Sequence, residues 1–236
     1  MNFEGKKIFI TGGSSGIGKA TAEKLIKEGA KVLICGRDEA KLNETAQNLG
    51  CDALQADVSK QSDVEKCFDH IAGKWGGLDV LINNAGIGRG GRLHELSLED
   101  MKKVWEINVL GATHCGQKAA QIFREQKSGN IVNIGSSSSL KGYPGGSVYV
   151  ASKFALRGLS ECWKAELRPY NVRVFQINPS EVTTAFGQKD GKERPDQAKK
   201  LRSEEIAHAI YSVLAMDDRG FIPELNVWAT NPWEDK

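Results

Sequence analysis

Short apolar runs alternate with longer amphipathic segments along most of the chain. The apolar runs predict strands at residues 6–11, 31–35, 52–56, 79–82, 131–134 and 172–177, with a further short strand at 225–228. The segments between them have apolar residues at helical spacing, and they predict helices at 16–28, 38–49, 60–75, 148–168 and 204–216, with one or two more between 97 and 126. Gly29 and Gly50 are predicted to end the first two helices, and Ser97 to cap a later one.

Several apolar runs, such as Val32-Leu33-Ile34, lack the alternation of a half-exposed strand. That pattern is typical of parallel strands that helices cover on both faces. Strands and helices that follow one another in turn also indicate crossover connections. The sequence therefore predicts one α/β domain over residues 1–236, a single-domain Rossmann-type, doubly wound parallel sheet flanked by helices.

Composition narrows the possible partners. Hydrophobic residues make up 40% of the chain and the formal net charge is only +2, so a globular domain is expected and a nucleic-acid partner is not. No apolar stretch approaches the roughly 20 residues that a membrane span needs, so no membrane partner is expected either. The five cysteines form no Cys-x-x-Cys pair and the four histidines show no ligand spacing, which predicts no disulfide framework and no metal site. A cytoplasmic location is the expectation.

A glycine-rich segment, Thr11-Gly12-Gly13-Ser14-Ser15-Gly16-Ile17-Gly18, joins the first predicted strand to the first helix. Small residues let a backbone approach a diphosphate, and the helix N-terminus offers free N–H groups to it. Gly18 would allow the helix to pack closely on the strand. Such turns also occur as plain tight connections, but this position after the first strand predicts a dinucleotide site.

The end of the second strand bears on the choice of cofactor. A carboxylate there would bind the ribose 2′-hydroxyl of NAD, whereas this chain has Gly36-Arg37-Asp38. Arg37 is able to pair with a 2′-phosphate, which favours NADP(H) over NAD(H). The alternative is that Arg37 is a surface charge and that Asp38 caps the next helix.

Polar residues follow the strands at their carboxyl ends, the edge where open parallel sheets bind ligands. Asn83-Asn84-Ala85-Gly86 follows the fourth strand, Ser136 the fifth and Pro179 the sixth. Tyr149 and Lys153 lie four apart in a predicted helix and so share one face. A neighbouring ammonium lowers the pKa of a phenol and makes it a usable acid or base. Alone, the pair is equally typical of an exposed helix surface.

Together these motifs resemble the short-chain dehydrogenases/reductases of about 250 residues, over the chain to about Met216. The resemblance rests on the glycine segment, Asp57-Val58, Asn83-Asn84-Ala85-Gly86, Asn108, Ser136, Tyr149-x-x-x-Lys153, and Pro179 with Val182 and Thr184. It implies that Tyr149 transfers the proton, that Lys153 lowers the tyrosine pKa and holds the nicotinamide ribose, and that Ser136 binds the reacting oxygen. It also implies that Asn108 bends a helix and holds a proton-relay water. Ser138 is the second candidate for the serine.

The resemblance and the glycine segment together imply a set of cofactor-contacting residues. The predicted set is Gly12, Ser14, Ser15, Gly16, Ile17, Gly18, Arg37, Asp57, Val58, Asn83, Ala85, Gly86, Tyr149, Lys153, Pro179, Val182 and Thr184.

Three segments either differ from the family's usual sequence or have two possible interpretations. Pro179-Ser180 replaces the usual Pro-Gly, which predicts a different turn. The charged stretch 187–202, within a substrate loop at about 184–202, is either a solvated loop or a lid beside the site. The apolar tail from Ile222 to Trp233 replaces a glycine-rich end and is either an edge strand or a subunit contact.

The predicted function is a carbonyl reductase that uses NADP(H) and acts on a small-molecule carbonyl or alcohol. Arg89 and Arg92 are candidates for contact with an acidic substrate but more often would be solvated loop charges. The main alternative is a nicotinamide-nucleotide-binding sensor without turnover, and a sugar-nucleotide epimerase is a third. The resemblance also implies a homodimer or homotetramer assembled through the helices at 97–126 and 148–168.

Overall fold

A computed structural model describes residues 1–188 and 194–233. Seven parallel strands form one sheet, in the spatial order β3-β2-β1-β4-β5-β6-β7. The strands are β1 (Lys7–Thr11), β2 (Lys31–Gly36), β3 (Asp52–Gln55), β4 (Val80–Asn83), β5 (Gly129–Ile134), β6 (Val172–Pro179) and β7 (Glu224–Val227). The order reverses between β1 and β4, so the crevice at the carboxyl ends of these strands is where such a sheet binds ligands. The predicted Rossmann-type α/β fold is confirmed.

Helices cover both faces of the sheet. They are α1 (Gly16–Lys27), α2 (Glu39–Leu49), α3 (Gln61–Trp75), α4 (Leu98–Trp105), α5 (Ala112–Gln126), α6 (Ser147–Leu167) and α7 (Ser203–Ala215). One core cluster joins the sheet to α1, α2 and α7, and a second joins it to α3, α5 and the end of α6. In β1, Ile8 and Ile10 pack into the first cluster and Phe9 into the second, so the strand is buried on both faces. Within the described residues, no helix is long and apolar enough to span a membrane.

The predicted element ends agree with the structure to within a few residues. Gly29 lies two residues after the end of α1, just past the cap residue Glu28; its φ is +89° and its N–H donates to Ile26 O at 2.9 Å. Asp38 caps α2 by accepting from the Lys41 N–H at 3.1 Å, and Ser97 caps α4 by accepting from the Asp100 N–H at 3.1 Å. These caps are set by local chemistry, which explains why the sequence predicts them.

The segment after β6 needs no glycine. Ser180 is not among the non-glycine residues with positive φ, and its N–H donates to Val227 O at 2.8 Å. Its Oγ accepts from the Ala229 N–H at 3.2 Å. Serine therefore continues the pairing with β7 without a positive φ, and a difference from the Pro-Gly turn stays a prediction.

The apolar C-terminal tail contains β7, which pairs with β6 at the edge of the sheet. The edge-strand interpretation is thus confirmed, with the strand one residue earlier than predicted. Trp228 and Trp233, which follow β7, are 59% and 73% exposed. A role for these tryptophans in subunit contact stays a prediction.

Gly18→Ala is expected to destabilise the fold, because a Cβ at Gly18 would lie 2.3 Å from the Gly12 carbonyl oxygen and 2.6 Å from Asn84 Nδ2. Such overpacking costs about 1–3 kcal/mol. Gly73→Ala is the matched control, since Gly73 lies in α3 with open space around it and alanine favours a helix by up to about 1 kcal/mol. Urea unfolding should show a loss of stability for Gly18→Ala and a gain for Gly73→Ala. Equal shifts in one direction would contradict this account of the glycine segment.

Candidate active site

A cavity of about 960 Å³ opens at the carboxyl edge of the sheet, between the glycine segment and α6. Most of the residues predicted for the site lie in its wall. These are Gly12, Ser14, Ser15, Gly16, Ile17, Arg37, Asp57, Val58, Ala85, Gly86, Ser136, Tyr149, Lys153, Pro179, Val182 and Thr184. Residues that are far apart in sequence therefore meet at one site because consecutive strands all end at this edge.

Two positions of the glycine segment require glycine because of positive φ and close packing against neighbouring residues. Gly12 and Gly16 have φ of +66° and +51°, a region that favours glycine. A Cβ at Gly12 would lie 3.0 Å from the Ala85 Cα, and one at Gly16 would lie 3.3 Å from Thr184 Cγ2. The N-cap residue of α1, Ser15, makes no side-chain cap, and the first turn contains no acidic residue. The positive end of the helix dipole thus faces the cavity and suits an anionic group.

Asn84 ties the glycine segment to the end of β4. Its Nδ2 donates to Thr11 O at 2.9 Å and to Gly12 O at 3.0 Å, and its N–H donates to Thr11 Oγ1 at 3.0 Å. Sequence reasoning recognised the motif that contains Asn84 but assigned this residue no role. Motif membership was the only signal, because its hydrogen-bond partners lie more than 70 residues away along the chain.

The end of the cavity beside β2 contains two cations, Arg37 and Lys41, and two carboxylates, Asp38 and Asp57. Gly36 contributes no side chain there, and the carboxylate of Asp38 accepts the Lys41 N–H at the start of α2. Arg37 and Lys41 both lie in the cavity wall, and among the described residues neither forms an ion pair. Lys41 was not predicted from the sequence. The preference for NADP(H) over NAD(H) stays a prediction.

The other end of the cavity contains the side chains proposed for chemistry. Tyr149 and Lys153 lie on one face of α6, and Lys153 Nζ is 5.7 Å from the centroid of the Tyr149 ring. Lys153 is buried, and its Nζ donates to the Ile134 carbonyl at 2.7 Å. Burial lowers the pKa of Lys153 to about 8. Ser136, just after β5, lies in extended backbone, and its Oγ accepts from the Ser138 N–H at 3.1 Å.

Burial raises the pKa of Tyr149 to about 12, and a hydrogen-bonding contribution from Ser136 opposes that rise. Desolvation is the largest cause of this shift, and the Lys153 ammonium donates to Ile134 O; that Lys153 lowers the pKa of this phenol stays a prediction. Tyr149 therefore retains its proton at neutral pH. This protonation state suits a group that donates a proton to a developing oxyanion.

Most of the chain matches one known protein family. A family model described as short chain dehydrogenase matches residues 6–195. The chain belongs to the short-chain dehydrogenase family. It is therefore an oxidoreductase by family, and the predicted resemblance is confirmed.

Individual relatives agree with this assignment. A protein named short chain aldehyde dehydrogenase 1, from Euphorbia lathyris, is 34% identical over 95% of this chain and 86% of its own length. An alcohol dehydrogenase from the archaeon Thermococcus sibiricus, solved with 5-hydroxy-NADP, has a TM-score of 0.86 and 30% identity, with 99% of this chain and 100% of that chain covered. A serine dehydrogenase in its closed form with NADP⁺ has a TM-score of 0.87 and 28% identity, with 93% of each chain covered.

Three residues predicted for the site, Gly18, Asn83 and Asn108, lie behind the cavity wall. Asn83 is buried, and its Nδ2 donates to Asn133 Oδ1 at 2.9 Å and to Ala112 O, at the start of α5, at 3.3 Å. Its contact with the cofactor stays a prediction. Gly18 packs against the Gly12 carbonyl as expected for close contact of helix and strand.

Asn108 lies in a π-helical segment, Glu106–Gly111, which joins α4 to α5. The predicted helix irregularity is thus present. Asn108 Oδ1 accepts from the Ile87 N–H at 2.8 Å, and its Nδ2 donates to Ile87 O at 2.9 Å and to Ser152 Oγ at 3.1 Å. Asn108 therefore fixes the segment after β4 against α6, and the water relay stays a prediction.

The described parts of the predicted substrate loop are held against the site. Arg194 Nη2 donates to Val182 O at 2.7 Å and its Nε donates to Thr184 O at 3.3 Å, while Nη1 pairs with Glu181 at 2.9 Å. Val182 also pairs with Leu201 in an isolated parallel bridge. Sequence reasoning missed Arg194, since nothing in a charged stretch identifies which residue turns inward. Residues 189–193 lie outside the described part of the chain, and a role as a lid stays a prediction.

Proposed function

We propose that this chain is an NADP(H)-dependent oxidoreductase that interconverts a carbonyl compound and a secondary alcohol, and that it reduces a small-molecule carbonyl. One observation supports this most strongly. Tyr149, Ser136 and Lys153 meet in the same cavity whose other end is formed by the glycine segment and Arg37. A nicotinamide dinucleotide bound along that cavity would bring its reactive ring to the tyrosine.

The residues present fit such a cofactor. The open N-terminus of α1 and the glycines at 12 and 16 would hold the diphosphate, and Asp57 with Val58 would hold the adenine. Lys153 and the backbone of Val182 would hold the nicotinamide end. When bound, the nicotinamide supplies the hydride.

The chain's own residues supply the proton and stabilise the charge. Tyr149 donates its phenolic proton to the carbonyl oxygen as negative charge develops there, and Ser136 donates a hydrogen bond to the same oxygen. Lys153, a buried cation 5.7 Å from the phenol ring, stabilises the phenolate that remains. In the reverse direction the same groups remove the proton from an alcohol.

The direct test is consumption of NADPH by the purified protein in the presence of a panel of aldehydes and ketones, followed by its absorbance. Consumption that depends on both protein and carbonyl supports the proposal. Binding of NADPH with no oxidation across the panel would instead favour a nucleotide-binding sensor.

The cations Arg37 and Lys41, in the cavity wall near β2, favour NADP(H) over NAD(H) because they are able to pair with a 2′-phosphate. Arg37→Gln is expected to weaken NADPH binding at least about tenfold, because hydrogen bonds to charged groups contribute about 1.5–3 kcal/mol. NADH binding should change little. Energy transfer from tryptophan to the nicotinamide measures both dissociation constants. Arg219→Gln, a fully solvated arginine far from the cavity, is the control. Equal losses for NADPH and NADH, or no loss, would contradict a 2′-phosphate contact.

We also propose that the chain assembles as a homodimer or homotetramer through α4, α5 and α6. The face of α4 and the π-helical segment exposes Leu98, Trp105 and Leu110, at 76%, 37% and 42%. A monomer by light scattering at micromolar concentration would contradict this.

The five cysteines are all free, which supports a reducing, cytoplasmic compartment.

A further inference from the structure

Two aromatic side chains flank the proposed proton donor. The centroid of the Phe186 ring is 5.5 Å from that of Tyr149, and the two rings are tilted by 56°. Tyr143 lies on the same cavity wall, and its phenol adds to the rise in the pKa of Tyr149 by repulsion. Phe186 is 44% and Tyr143 is 52% exposed. Both rings therefore present uncovered apolar surface beside the reacting hydroxyl.

Glycines provide the positions that these rings occupy. A Cβ at Gly88 would lie 2.9 Å from Phe186 Cε1, and one at Gly146 would lie 2.7 Å from Tyr143 Cε2. The two supporting loops are also joined, because the Gly91 N–H donates to Gly145 O at 2.9 Å. Neighbouring backbone, rather than chance exposure, thus places each ring against the cavity.

Charged residues near this end of the wall already have partners. Arg89 donates to Gly88 O at 3.0 Å and lies 3.7 Å from Asp100. Glu181 pairs with both Arg194 and Lys200. Among the described residues, the cation of this end without an ion pair is Lys153, whose Nζ donates to Ile134 O, and the wall beside Phe186 and Tyr143 otherwise offers rings and hydroxyls. A carboxylate or phosphate beside these two rings would find no cation other than the proposed catalytic lysine.

We propose that the substrate has a flat aromatic group bonded to the reacting carbonyl, and that the rings of Phe186 and Tyr143 bind this group. This inference rests on the proposed function, since it needs Tyr149 to act on a carbonyl. The carbonyl carbon accepts the hydride and its oxygen accepts the proton of Tyr149, so that an aryl ketone becomes a secondary alcohol while NADPH becomes NADP⁺. Aromatic rings favour edge-to-face and offset contacts with one another, which a saturated ring of similar size makes less well.

The test compares acetophenone with cyclohexyl methyl ketone, which differ in the aromaticity of the ring. The measured quantity is the ratio of their kcat/KM values, so that differences in intrinsic reactivity cancel between variants. Phe186→Ala should lower the ratio of aromatic to saturated about three- to tenfold, and Phe186→Tyr should preserve it within about twofold. Trp233→Ala, at an exposed aromatic residue in the tail, should leave it within about twofold. NADPH affinity should be the same in all variants.

An unchanged ratio in Phe186→Ala would overturn the inference and leave the proposed function standing. If neither ketone consumes NADPH, the wider carbonyl panel decides the proposed function, and the inference is then tested by binding. Ligand-observed NMR on the NADPH complex compares the two ketones with wild type and Phe186→Ala. Selective loss of acetophenone binding in the variant supports the aromatic subsite, and equal binding of both ketones by both proteins overturns it.

Discussion

Replacing Tyr149 with phenylalanine should lower kcat/KM for carbonyl reduction by at least about 100-fold, the scale on which general acid catalysis contributes. The change removes only the hydroxyl, so the ring keeps its contact with Phe186 and α6 keeps its position. Burial keeps the phenol protonated at neutral pH, and Lys153 Nζ lies 5.7 Å from the centroid of its ring. Steady-state assays with the ketone that wild type reduces best measure the loss.

Two companion measurements make this result specific. NADPH should bind Tyr149→Phe about as tightly as wild type, because its phosphates and adenine contact other residues. Tyr170→Phe is the matched control, since the Tyr170 hydroxyl bonds Arg124 at 3.2 Å on the surface and takes no part in the cavity. Full activity in Tyr149→Phe would show that another group supplies the proton.

Lys153→Met is expected to reduce kcat/KM by at least about 100-fold as well. Methionine fills a similar volume, but it supplies no cation to stabilise the phenolate and no donor for the ribose. The Ile134 carbonyl also loses the hydrogen bond that it receives from Nζ at 2.7 Å. The loss should include a weaker affinity for NADPH, which distinguishes Lys153→Met from Tyr149→Phe. Near-normal turnover with normal NADPH affinity would contradict the role of Lys153.

The same variant gives a pH test of the buried ammonium. Burial lowers the pKa of Lys153 from 10.5 to about 8, so between these pH values the folded protein binds fewer protons than the unfolded chain. The cost of the buried charge is thus present at pH 7 and is relieved as pH rises through 8. Between pH 7 and 10, the free energy of unfolding of wild type should gain on the order of 2 kcal/mol relative to Lys153→Met. A difference that stays constant with pH, measured by urea unfolding, would show that Lys153 is not desolvated.

The sheet and most of its helices were predictable because their signals are local. Short apolar runs such as Val32-Leu33-Ile34 bury on both faces, and the caps at Asp38 and Ser97 depend on neighbours three residues away. The glycine segment was predictable for the same reason, since positive φ and close approach both demand glycine. Even the edge strand β7 followed from its apolar residues, although its partner could only be assigned from the structure.

The parts that were missed depend on contacts between distant residues. The motif after β4 does not show that Asn83 bonds a residue of the neighbouring strand while Asn84 bonds the glycine segment. Successive side chains along a strand point to opposite faces, and the motif does not say which face each asparagine takes. In the sequence, Arg194 and Lys41 cannot be told from ordinary surface cations, and only the structure shows that they line the cavity. The pKa of Tyr149 depends on burial and on where the Lys153 ammonium points, and neither is encoded by a spacing of four.

Transfer of deuterium from NADPH that carries deuterium at both C4 positions of the nicotinamide tests the central claim most directly. Wild type and Tyr149→Phe are each incubated with the labelled cofactor and a ketone, and the alcohol is analysed by NMR. The account predicts one deuterium on the carbinol carbon with wild type and almost no product with Tyr149→Phe. An alcohol that forms without the label, or an absence of product with wild type across the ketones and aldehydes tried, would contradict it.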